Sequence, residues 1–79
     1  MIEKAINYVL ENIDDLDVRN ALRYQHFRMP VDKDFVYKVF DLLEEFGQDN
    51  DLDEEWYYNE YNDDQLIDMV IDTYIENHQ

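Results

Sequence analysis

Apolar residues recur every three to four positions in three long stretches, the spacing of a helix that buries one face. The first comprises Ile2, Ala5, Ile6, Val9, Leu10 and Ile13. The second runs through Phe35, Val36, Val39, Phe40, Leu43 and Phe46, and Gly47 follows in the position favoured for a left-handed C-cap. The third holds Leu66, Ile67, Val70, Ile71 and Tyr74, with Ile75 beside them. Two shorter segments lie between. Asp17 is a candidate cap for a helix carrying Val18, Ala21 and Leu22 that ends near His26. Pro30 blocks its continuation, and Asp32 is placed to cap the next helix. Farther on, Asp51 with Glu54 and Asn62 with Gln65 match the capping-box spacing, so Gln48–Asn50 and Tyr61-Asn62 read as turns. His26 to Val31 is the only place where a strand could hide. The pattern predicts an all-α fold: a compact bundle of four to five short helices forming a single domain over residues 1–79.

Composition supports a folded chain. A 79-residue chain has room for one core, and 46% hydrophobic with 15% aromatic residues is ample to build it. The turn formers are scarce, with one glycine, one proline and no serine, which again favours helices. No cysteine is present, so no disulfide staples the fold. The start, Met1-Ile2-Glu3-Lys4, lacks a signal-peptide pattern, and no apolar run approaches the roughly 18 residues of a membrane span. These features lead us to expect a cytoplasmic protein that does not engage membranes.

Charge is distributed very unevenly along the chain. Residues 1–38 carry seven acids and six bases, whereas residues 39–79 carry fourteen acids and no lysine or arginine. The second half therefore holds −14 of the net −15. Such one-sided charge repels itself and opposes compaction. It also repels phosphate backbones and anionic lipid, so direct nucleic-acid binding is not expected. Some carboxylates have ordinary structural work: Asp51, Asp53, Glu54 and Glu55, and then Asp63 and Asp64, fall in expected first helical turns, where the dipole favours them. Others oppose it. Glu44, Glu45 and Glu76 sit near helix C-termini, and Asp64, Asp68, Asp72 and Glu76 repeat at intervals of four as adjacent like charges. A single lysine in that row would relieve the strain, and none is there.

Carboxylates spaced about 6 Å apart along a helix form a linear anionic array comparable in kind to a phosphate backbone. The expected partner is a basic, nucleic-acid-binding protein. The expected function is a nucleic-acid mimic: a small inhibitor that occupies the partner's basic site. In composition the chain resembles the small acidic inhibitors that phages and mobile elements direct against restriction enzymes, CRISPR nucleases and repressors. Trp56, Tyr57, Tyr58 and Tyr61 lie inside the most acidic segment and cannot all be buried at once. Trp56 is placed to join Leu52 toward the core, while Tyr57, Tyr58 and Tyr61 are candidate anchors on which a partner's arginines stack. Such neighbouring tyrosines and carboxylates resemble those with which colicin immunity proteins meet a basic nuclease, although the order of elements here departs from that family. The candidate binding residues are thus Glu44, Glu45, Asp49, Asp51, Asp53, Glu54, Glu55, Tyr57, Tyr58, Glu60, Tyr61, Asp64, Asp68, Asp72 and Glu76. A non-inhibitory adaptor or chaperone for a basic protein is the alternative. A protein adapted to a saline habitat would instead be acidic throughout, which the near-neutral first half argues against.

Other chemistry has little support. Asp49, Asp51, Asp53, Glu55 and Glu60 fit positions of a calcium loop, but the required sixth-position glycine is Glu54. His26 and His78 have no second histidine at ligand spacing. Without serine or cysteine, most catalytic constellations are excluded, so neither an enzyme nor a cofactor site is expected. The basic residues Arg19, Arg23, Arg28, Lys33 and Lys38 either pair with local acids such as Asp15 and Glu11 or meet the acidic half of a second copy in a homodimer.

Overall fold

A computed structural model describes residues 1–78. The elements are α1 (Ile2–Asn12), α2 (Asp15–His26), α3 (Lys33–Asp49), a four-residue 3₁₀ turn (Trp56–Asn59) and α4 (Asp63–Asn77). The fold is all-α, as the periodicity predicts; His26 ends α2, Phe27 to Val31 form a turn and connector, and no strand occurs among the described residues. α1 packs against α3 and α4, and α2 bridges α3 and α4. Between them lie Ala5, Val9, Val18, Val39, Leu43, Leu66, Val70 and Ile71, each at most 1% exposed. Burying a side chain of Val, Leu or Ile size contributes about 1.5–3 kcal/mol, so these positions hold the four helices together. No helix among the described residues is long and apolar enough to cross a membrane.

Several helix starts follow the sequence signals. Asp32 accepts from the Asp34 amide, and Asn62 and Gln65 form a reciprocal capping box with bonds of 2.9 and 3.0 Å. The expected Asp17 cap is corrected: α2 starts earlier, and Asp14 accepts from the Leu16 amide at 3.1 Å. Asp17 lies inside the first turn, where its carboxylate instead receives Lys38 Nζ at 2.8 Å.

The end of α3 also differs from the expected one. Gly47 is helical and buried, and it does not terminate the helix. The helix continues to Asp49 and closes on Asn50, with Asp51 taking the left-handed conformation at φ 57°. The Leu52 amide returns to the Gly47 carbonyl at 2.8 Å and the Asp51 amide to the Gln48 carbonyl at 3.4 Å. These are the two bonds of a Schellman closure. Gln48 and Asp49 are therefore helix, not linker. Asp51 and Glu54 form no capping box, because Asp51 ends one helix and does not begin another. Consequently Asp51, Asp53, Glu54 and Glu55 do not lie in the first turn of an α-helix; Glu55 precedes only the four-residue 3₁₀ turn and makes no side-chain cap bond there.

A left-handed aspartate costs more than a glycine there. Asp51→Gly is expected to raise stability by about 0.5–1 kcal/mol, after allowing for the looser unfolded chain. A denaturant midpoint that fails to rise would contradict this account of the turn.

Candidate functional site

The segment between α3 and α4 is the core of the candidate surface, and its shape follows from two contacts. The Trp56 ring lies across Gly47, where an added Cβ would meet Cδ1 and Nε1 at 2.7 Å. Trp56 Nε1 donates to the Leu43 carbonyl at 3.2 Å, pinning the ring to α3. Glu55, just before it, is the second left-handed residue of the segment, at φ 56°. Asp51 to Glu55 thus run outside regular structure, with their carboxylates exposed around the half-buried Leu52 and Trp56.

The 3₁₀ turn then sends its tyrosines to different surroundings. Tyr57 is buried, which corrects its expected role as an arginine anchor. Its ring stacks on Phe40 at 5.6 Å and its hydroxyl donates to Glu44 Oε1 at 2.9 Å. The tighter 3₁₀ winding rotates Tyr57 inward, where α-helical spacing would have set it on an outer face. Tyr61 is half-buried, and Tyr58 is 43% exposed beside Tyr57, with ring centroids 4.6 Å apart. Of the three proposed anchors, only Tyr58 is exposed enough to offer its ring to a partner.

The candidate carboxylates fall into two groups. Glu44, Asp53, Glu54 and Glu55 line one open cleft with Gln48, Leu52 and Trp56. Asp63 lines the same open surface as Tyr58; partial burial first, then the neighbouring carboxylates of Asp63, Glu55 and Glu44, push the Tyr58 hydroxyl up to about 12. Glu45, Asp49, Asp51 and Glu60 are exposed around this region. The second group is the row on α4: Asp64, Asp68, Asp72 and Glu76 are all exposed, and Asp68 accepts from Gln25 Nε2 at 2.9 Å.

Hydrogen-bond donors serve several of these acids, and sequence reasoning missed them. Tyr8 donates to Glu45 at 2.7 Å and Tyr57 to Glu44; in the first half, outside the candidate set, Tyr74 donates to Asp15 at 2.7 Å. Both ion pairs among the described residues, Arg19–Asp15 and Lys38–Asp17, use acids from the first half. After residue 38, no described carboxylate is in an ion pair. A phenol hydrogen bond satisfies a carboxylate but leaves its charge in place. Of the fourteen carboxylates in the second half, Glu44, Glu45 and Asp68 accept side-chain hydrogen bonds, and none is offset by an ion pair among the described residues. No group of three histidine or acidic side chains suited to holding a metal ion occurs among the described residues, and none of their buried side chains is charged.

The tyrosine–carboxylate bonds make stability sensitive to alkali. The Glu45 bond, with burial and nearby carboxylate charge, holds Tyr8 up at about 12; Tyr58 stands at about 12, and burial and the Glu44 bond raise Tyr57 as well. A group raised on folding contributes stability below its unfolded pKa of about 10 and loses it as pH rises through the folded value. Lys38, raised by its bond to Asp17, acts in the same direction. Stability is expected to fall between pH ~10 and ~12, and Tyr8→Phe should flatten part of that fall. A variant whose alkaline decline matches the parent's would show that the Glu45 bond does not carry it.

No protein-family model, curated protein or solved structure matches this chain.

Proposed function

We propose that this protein binds a basic protein through its acidic second half and occupies the groove with which that partner holds nucleic acid. One observation carries the reading: fourteen carboxylates follow Lys38, and no described one is offset by an ion pair. Local structure accounts for Asp63 and Asp64, in the first turn of α4, but not for Asp51 to Glu55, which lie outside any helix, nor for the α4 row beyond Asp64, which sets like charges one turn apart. A partner lined with lysine and arginine would lower the energy of every one of these groups on docking. Long-range attraction would make association fast, and salt would weaken it. Tyr58, exposed among Glu44, Glu55 and Asp63, is suited to receive an arginine side chain by stacking and charge together.

The test is capture of partners by the immobilised protein in dilute buffer, followed by elution with salt. Recovery of a nuclease, repressor or polymerase, with loss of its nucleic-acid binding while captured, is the expected result. Recovery of a basic partner that still binds nucleic acid would favour the adaptor reading. No salt-sensitive capture at all would count against both.

A further inference from the structure

The back of α2 carries a patch that the acidic surface does not explain. Phe27 is 68% exposed and Met29 53%, although both are large and apolar. They flank Arg28, a left-handed residue at φ 57°. The Met29 amide returns to the Tyr24 carbonyl at 2.8 Å and the Arg28 amide to the Gln25 carbonyl at 3.0 Å, a second Schellman closure. This backbone fixes Phe27 and Met29 at the rim of a shallow cleft of about 350 Å³, lined also by Asn20, Arg23 and Tyr24. Arg23 and Arg28 form no ion pair among the described residues. The patch is therefore apolar at its centre and cationic around it.

α4 presents the inverse mosaic. Ile75 is 40% exposed, three residues beyond Asp72 and seven beyond Asp68, positions that share one helix face. An apolar residue is there framed by uncompensated acids. The two mosaics also lie on neighbouring surfaces, because α2 packs on α4 and Gln25 bonds Asp68 across their edge. Complementary patches side by side on one protomer are what a two-fold pairing requires: each patch meets the other's complement, and the interface closes.

We propose that Arg23, Phe27, Arg28 and Met29 form the docking surface for the α4 face of a second copy, in a two-fold dimer. Ile75 of each copy meets Phe27 and Met29 of the other, and Asp68 and Asp72 meet Arg23 and Arg28. The salt dependence is distinctive. Two chains of net charge −15 repel at long range in dilute buffer, where screening extends over about 30 Å. At about 0.15 M salt the screening length falls to about 8 Å, which suppresses that repulsion more than the contacts. Dimerisation should therefore strengthen on going from dilute to moderate salt, opposite to the capture of a basic target. Such a target would compete for the α4 acids, but the pairing does not depend on one existing.

The experiment is sedimentation velocity of the purified chain alone, over a wide concentration range in both buffers. We expect a monomer in dilute buffer and a concentration-dependent dimer at moderate salt. Phe27→Asp should weaken the dimer at least about tenfold with an unchanged helical spectrum, since the side chain is exposed. The R23E/R28E chain and the D72R chain should each be monomeric, and mixing them should restore association. A chain that stays monomeric at every concentration would overturn the proposal and leave the patch to a different protein. A dimer indifferent to Phe27→Asp and to the charge exchange would overturn it equally.

Discussion

The Gly47→Ala protein is expected to be less stable than the parent by about 1–3 kcal/mol. Two effects compete. Within a helix, alanine is favoured over glycine by up to about 1 kcal/mol, and Gly47 is helical. Against this, the new methyl would sit 2.7 Å from the Trp56 ring. The ring cannot simply retreat. Its Nε1 is bonded to the Leu43 carbonyl, and its faces and edges meet Phe46 at 5.9 Å and Tyr57 at 5.7 Å. Displacing it would loosen the whole segment from Asp51 to Asn59, so the steric cost exceeds the propensity gain. Chemical denaturation gives the sign directly, and Trp56 fluorescence should report a more exposed indole. In the Gly47→Ala background, Trp56→Leu should recover part of the loss by removing the obstacle. A Gly47→Ala protein more stable than the parent would mean that Trp56 does not hold the position assigned to it.

That glycine also marks where sequence reasoning stops. Its position after Phe46 fits a helix end, and one glycine in 79 residues invites that assignment. Nothing local reveals that a tryptophan nine positions later needs the space. The helices themselves were legible because their apolar period is regular, and the Asn62–Gln65 box because it is purely local. The stretch from Asp51 to Tyr58 was not. Its backbone turns on two acidic residues in left-handed conformations, whereas glycine or asparagine would have signalled such a turn. Its 3₁₀ winding also moved Tyr57 to the interior, away from the face that an α-helical count assigns. For the candidate surface, the position and exposure of the α4 row followed from its spacing of four. The hydrogen bonds from Tyr8, Tyr57 and Gln25 to Glu45, Glu44 and Asp68 join residues 13 to 43 positions apart, so no sequence pattern announces them.

Substituting Asp68 and Glu76 by lysine makes the α4 row alternate in sign, with Asp64 and Asp72 keeping their charge, so three adjacent like pairs become three opposite ones. Each like pair costs and each opposite pair contributes roughly 0.2–0.5 kcal/mol, so the D68K/E76K protein should gain about 1–3 kcal/mol overall. The second lysine adds a small benefit near the negative end of the helix dipole. Loss of the Gln25 bond subtracts little, because both groups are exposed. The net charge falls from −15 to −11, as two acids become two bases. A stabilising change so easily made, at positions that support no fold, is informative only alongside binding. If the row serves a cationic partner, stability and binding must move in opposite directions. The decisive measurement is therefore the amount of basic partner retained in dilute buffer by D68K/E76K beside the parent, both shown to be folded. The acidic-surface account predicts a hardier protein that retains at least about tenfold less partner. A hardier protein that captures its partner undiminished would contradict it.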